Sequence, residues 1–176
     1  MLSRYVQSSR LAWRMALSLP CVLLLMASDC KKPLPPSDST PPVLTWSVHN
    51  GGSGQTQTFT GNGKITAKPG ESFTVTLIAE DPEGVSRIEL GGAGSYSCVQ
   101  GNVGQNTTID QKTDVQTLQP DADGKVLTKI FLIRDVDPNG WTCQSGFSFT
   151  GGSLTLQGRG DNYHNGITKG SLTITR

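Results

Sequence analysis

The sequence is poor in charge and in aromatic rings. Only 16% of its 176 residues are Asp, Glu, Lys or Arg, 6% are Phe, Trp or Tyr, and just two are histidines. Lys plus Arg number 15 against 14 Asp plus Glu. A nucleic-acid surface needs a basic excess to meet phosphates, so no nucleic acid is expected as a partner. There is no G-x-S-x-G, no H-E-x-x-H and no glycine-rich phosphate loop, and His49 and His164 lie far apart in the chain. No catalytic residue and no cofactor-binding residue is therefore assigned, and a non-enzymatic role is expected. The four cysteines have no C-x-x-C spacing, which argues against a redox pair or zinc ligands. No apolar run reaches the roughly 18 residues that a membrane-spanning helix needs, and no internal repeat is found.

What is abundant points to β structure. Twenty-one glycines and many Thr, Ser and Asn residues suit short strands joined by turns. The N-terminus is different in kind. Arg4, Arg10 and Arg14 precede a 13-residue apolar core, Met15–Ala27, followed by the small residues Ala27 and Ser28. This reads as an export signal over residues 1–29, with a retained membrane anchor as the alternative. Lys31 to Pro42 then holds five prolines in twelve residues, a semi-rigid tether (residues 30–42) reaching roughly 40 Å. The rest, residues 43–176, is long enough for one domain with a real core.

Within that domain, Val43–Val48 reads as a first, edge strand because prolines precede it. One or two short exposed strands are expected between Gln55 and Thr66. Glu71–Ala79 is the strongest central strand, with Phe73, Val75, Leu77 and Ala79 on one face. Asp81-Pro82-Glu83-Gly84 turns the chain into Val85–Leu90, where Ile88 and Leu90 are in phase. Gly101–Gln119 is polar and reads as a long loop with one strand near Thr113–Leu118. Lys125–Ile133 has apolar residues in both phases, which suggests burial on both faces. Phe147 and Phe149 share a face of the next strand. Ser153–Thr175 closes the chain as a hairpin, its Leu154 and Leu156 opposing Leu172 and Ile174, around a polar loop Gly158–Gly166.

Two resemblances follow. Ala27-Ser28-Asp29-Cys30 resembles the end of a bacterial lipoprotein signal, in which the chain is cut before a cysteine that receives lipid; here Asp29 takes the place usual for Gly or Ala. The resemblance implies lipidation of Cys30 and anchoring to a membrane of the cell envelope, with plain secretion as the alternative. The run from Pro69-Gly70 through Asp81 and Gly84, with the closing Asp161, Asn162, Asn165 and Gly166, resembles bacterial immunoglobulin-like domains of cell-surface proteins. It implies an all-β, immunoglobulin-like antiparallel β-sandwich.

Ser95–Val99 and Trp141–Gln144 each place a cysteine in a strand-like context, and in an exported protein the obvious bridge is Cys98 to Cys143, Cys21 going with the leader. The candidate sites are few. Asp135-Val136-Asp137-Pro138-Asn139-Gly140 opens like a calcium loop, with Asp135, Asp137 and Asn139 as ligands and Asp121 and Asp123 as neighbours. Gly146 stands where a helix-loop-helix site would need Glu, so the alternatives are a looser calcium site and a plain acidic turn. Arg159-Gly160-Asp161 is the tripeptide that integrins read on a loop or hairpin tip; ordinary turn chemistry also accounts for it. Trp46, Trp141 and Tyr163, with Tyr96, are candidate stacking platforms for a sugar, against a core role for the two tryptophans. The expected function is an adhesion or interaction module with an envelope protein as partner. A carbohydrate-binding module for a polysaccharide and a passive spacer are the alternatives.

Overall fold

The structure is a computed structural model that describes Leu34, residues 40–119 and residues 129–176. The leader, Cys30, most of the Pro-rich arm, Asp121, Asp123 and the start of the Lys125–Ile133 segment lie outside the described residues. Among the described residues nine strands form two sheets. They are β1 Val43–Asn50, β2 Thr56–Thr60, β3 Asn62–Thr66, β4 Phe73–Glu80, β5 Val85–Gln100, β6 Val103–Thr117, β7 Lys129–Val136, β8 Ser148–Asn162 and β9 Ile167–Thr175. One sheet has the order β2-β1-β4-β7 and the other β3-β9-β8-β5-β6. Every pairing is antiparallel except β3 with β9, which is parallel. This is an all-β sandwich, compatible with an immunoglobulin-like fold.

Alternation builds the core. Leu44, Trp46 and Val48 of β1 and Phe73, Val75, Leu77 and Ala79 of β4 point inward from one sheet; Ile88, Leu90, Leu154, Leu156, Leu172 and Ile174 meet them from the other. The opposing sheet makes room with glycine. A Cβ on Gly158 would stand 2.7 Å from Leu77 and 3.0 Å from Trp46, so the Trp46 ring lies against bare backbone. The Trp46 indole N–H then donates to Gly61 O at 2.8 Å, which satisfies its polar end.

The Cys98–Cys143 disulfide is present, with Cα atoms 5.8 Å apart and a sequence separation of 45. In the chain-entropy model a loop of that length stabilises the fold by about 4 kcal/mol. Beside it Trp141 closes one end of the core, stacked on Tyr96 with centroids 6.2 Å apart and planes at 4°. Phe149 stacks on the same tyrosine, and the Arg176 guanidinium lies 4.7 Å over the Phe149 ring.

Four expectations are corrected. β1 is an inner strand, because the polar β2 pairs with it and takes the edge. Gly101–Gln119 is no loop: it holds the 15-residue β6, whose Thr, Gln and Asn residues are exposed on both faces and so show no apolar alternation. In β7 only one face is buried; Phe131 and Ile133 are 53% and 57% exposed, and among the described residues no layer covers the outside of that sheet. Trp141–Gln144 is irregular and follows a single 3-10 turn, Pro138–Gly140. The strand after the Asp81–Gly84 turn, β5, joins the opposite sheet and does not pair with β4.

Candidate functional site

The two stretches that resemble surface immunoglobulin-like domains meet at one end of the sandwich. Asp81 is 1% exposed and Asn162 4%, and the Asn162 amide donates to Asp81 Oδ2 at 3.4 Å and to Thr40 O at 3.0 Å. Its Oδ1 accepts from the backbone N–H groups of His164 and Gly166, at 2.9 and 2.7 Å, which shapes the β8–β9 turn. Thr168 Oγ1 donates to Pro42 O at 2.5 Å. Asn162 thus ties together the β4–β5 turn, the β8–β9 turn and the segment entering the domain. The turn Tyr163–Gly166 therefore lies at the pole where the Pro-rich arm joins.

That location, and the true extent of the turn, corrects the integrin-type reading. Arg159, Gly160 and Asp161 belong to β8 in mid-sheet, paired with β5 on one side and β9 on the other. Gly160 faces the core at Leu44 and Ala79. Arg159 Nε and Nη2 grip Asp161 at 2.7 and 2.9 Å. Asp161 holds the guanidinium protonated above its ordinary range, chiefly by hydrogen bonding. A tripeptide built into a central strand is not displayed on a tip.

The aromatic platforms are also relocated. Trp46 is 0% exposed and Trp141 8%, so both rings belong to the core and offer no face to a sugar. Tyr163 is half-buried against the end of β6, its hydroxyl donating to Leu118 O at 3.0 Å, and burial raises its pKa above the ordinary value. In the calcium-like loop, Asp135 Oδ1 accepts from Thr74 Oγ1 at 3.3 Å and Asp137 Oδ1 caps the 3-10 turn by accepting Asn139 N–H at 2.9 Å. Asn139 spans to the β3–β4 turn, accepting from Gly70 N at 2.6 Å and donating to Glu71 O at 2.8 Å. Each of the three side chains thus serves hydrogen bonds of its own. Among the described residues no group of three or more His, Cys, Asp or Glu is placed to hold a metal ion. His49 lies beside Thr56 near the far end of β1, and His164 sits in the β8–β9 turn at the opposite pole.

Two surfaces that sequence reading missed are more distinctive. The outer face of the β7 sheet carries an apolar corner: Phe131 pairs across the strand with the half-buried Ile78, and Ile133 follows two residues on. The neighbouring outward residues, Thr74, Thr76, Thr45 and Ser47, are small and polar. Beneath this corner Arg134 reaches the other sheet, donating to Leu90 O at 2.6 Å and to Lys112 O, and pairing with Asp114 at 2.9 Å.

The outer face of the five-stranded sheet carries a polar groove of about 490 Å³. Register sets two rows across it: Gly91, Gln157, Ser171 and Asn62 in one, and Glu89, Arg159 and Lys169 in the next. At Gly91 the Thr113 side chain of β6 leans over the backbone; a Cβ on Gly91 would stand 2.4 Å from Thr113 Oγ1. The irregularity in β5–β6 pairing between Leu90 and Gly92 raises that wall. The outward phase of Gln157, Arg159, Lys169 and Ser171 is visible in the alternation of the closing hairpin, but their assembly into rows is set by register. Neither a protein-family model nor a curated protein matches the chain.

Proposed function

We propose that the chain is an exported, non-enzymatic immunoglobulin-like domain, held to the cell envelope by lipid on Cys30 and the Pro-rich arm, that acts as an adhesion or interaction module. The observation that carries this reading is the apolar corner of Ile78, Phe131 and Ile133. Two large apolar side chains more than half exposed, two residues apart on one strand and beside Thr76, Thr45 and Ser47, cost solubility unless a partner uses them. Such residues, buried at the centre of a contact, are where binding energy concentrates. The entry pole fits the same reading, since Asn162 and Thr168 clamp the root of the arm and would fix how the domain stands on its tether.

The test is capture from envelope extracts by the full chain and by the Phe131→Asp, Ile133→Asp double variant, with and without calcium. Both positions are exposed, so the variant is expected to melt like the parent. A captured protein that the variant loses supports the module; identical captures by both remove the corner as its contact surface. Calcium dependence of the capture would restore Asp135, Asp137 and Asn139 as ligands. Mass spectrometry of the mature N-terminus tests the anchor separately: a lipid adduct on an N-terminal Cys30 is expected, and a free Asp29 or an unmodified Cys30 opposes it.

A further inference from the structure

The groove on the five-stranded sheet has a chemistry of its own. It presents one carboxylate (Glu89), one ammonium (Lys169), one guanidinium (Arg159), two carboxamides (Gln157 and Asn62) and the Ser171 hydroxyl over a floor of glycine backbone. Most of these groups have separate duties. Arg159 is gripped by Asp161, Glu89 is paired with Arg87, and Asn62 Oδ1 accepts from Ser171 N and Oγ at 2.9 and 3.0 Å. Lys169 and Gln157 are different: neither has a hydrogen-bond or ion-pair partner among the described residues, and both face outward into the trough. The groove therefore offers one unsatisfied cation beside an unsatisfied amide, with a carboxylate acceptor in the adjoining row.

We propose that this groove binds an acidic oligosaccharide, a chain of sugars that carry carboxylates. Lys169 takes the carboxylate. Gln157, which both donates and accepts, and Glu89, which accepts, meet the ring hydroxyls, each of which is itself donor and acceptor. The trough crosses the strands, running from Asn62 on β3 to Thr113 on β6, a span of roughly 19 Å at the usual strand spacing. Its volume is within the roughly 300–1,000 Å³ of small-ligand sites. Glu89 and Asp161 beside the two cations oppose a dense dianion such as phosphate, whereas carboxylates spaced one to a sugar ring can set a single charge on the free ammonium of Lys169 and keep the others clear of Glu89 and Asp161. No aromatic ring lines the groove, so charge and hydrogen bonds carry the binding, and it weakens with salt.

This site is independent of the apolar corner, which lies on the opposite sheet, and it has its own test. The full chain is titrated with tri-galacturonate, with neutral maltotriose and with an oligoglutamate of equal charge, following backbone amide shifts and heat. Tri-galacturonate is expected to shift the amides of Asn62, Gln157, Lys169 and Ser171. Lys169→Ala should weaken it about tenfold, the loss of one charge-assisted hydrogen bond, while Lys169→Arg retains it. Lys68→Ala, in the β3–β4 turn, should leave it unchanged. Because Lys169 is exposed, the Ala variant should keep the parent's melting temperature, so a lost signal reports binding. Absence of groove shifts at millimolar tri-galacturonate, equal binding by Lys169→Ala, or equal binding of maltotriose or oligoglutamate overturns the assignment.

Discussion

Asn162→Ala should unlock the pole where the arm enters. The side chain makes four hydrogen bonds: two accepted from the His164 and Gly166 amides, and two donated, to Thr40 O and to Asp81 Oδ2. Water can reach the half-buried turn amides once the side chain is gone, so their loss is partly offset. Asp81 is only 1% exposed, so its carboxylate oxygen is left without the amide in a place water reaches poorly. An unsatisfied buried polar group costs about 1–3 kcal/mol, and together with the lost turn bonds the substitution should cost about 3 kcal/mol. That corresponds to a fall in Tm of about 10 °C for a domain of this size. Urea unfolding followed by tryptophan fluorescence measures it, and hydrogen exchange should show the His164 and Gly166 amides exchanging faster than the fall in global stability alone requires. Asn162→Asp keeps the acceptor but sets a second carboxylate against Asp81, so it should be worse than Ala at pH 7 and recover at acid pH, where one proton serves both. A loss below about 1 kcal/mol for Asn162→Ala, with the turn amides unaffected, would refute the view that this residue joins the two turns and the arm.

Two further substitutions test the frame. Gly158→Val places carbon where Leu77 is 2.7 Å and Trp46 3.0 Å from the β-position, and should cost about 1–3 kcal/mol in urea unfolding with a changed Trp46 emission; an unchanged midpoint would mean the sheets are not so tightly apposed. The Glu71 carboxyl sits below its usual range because it accepts the Lys68 N–H at 2.7 Å and, second, bonds to the Asn50 side chain. Its stabilisation is therefore present above the ordinary carboxylate pKa and lost as the pH falls through the lowered one, so Glu71→Gln should flatten the acid end of the stability profile by a small, salt-sensitive amount. An acid limb identical in the variant would assign that slope to other carboxylates.

Much of the frame was legible because a strand with one buried face must alternate. Phe73, Val75, Leu77 and Ala79 announced β4, and Leu154, Leu156, Leu172 and Ile174 announced the closing hairpin, each with the burial expected. The disulfide was legible from the cysteine count and the expectation of export. What misled the reading were strands that alternate weakly or not at all. β6 is polar on both faces because it lies at a sheet edge, and β7 is apolar on both because its outer side is an exposed corner, so composition alone read one as loop and the other as doubly buried.

The sites depended on long-range register. The sequence by itself determined that this is a β domain with a bridge, a strong central strand and a closing hairpin, because period and turn chemistry are local. Only the tertiary structure decided that Arg159-Gly160-Asp161 is sealed into a sheet and that Trp46 and Trp141 fill the core. It likewise decided that Asn162 meets Asp81 across 81 residues of chain. Which residues share a row or a pole is set by how strands pair across the sheet, and a shift of one residue in that pairing would turn Lys169 and Gln157 inward and dissolve the groove.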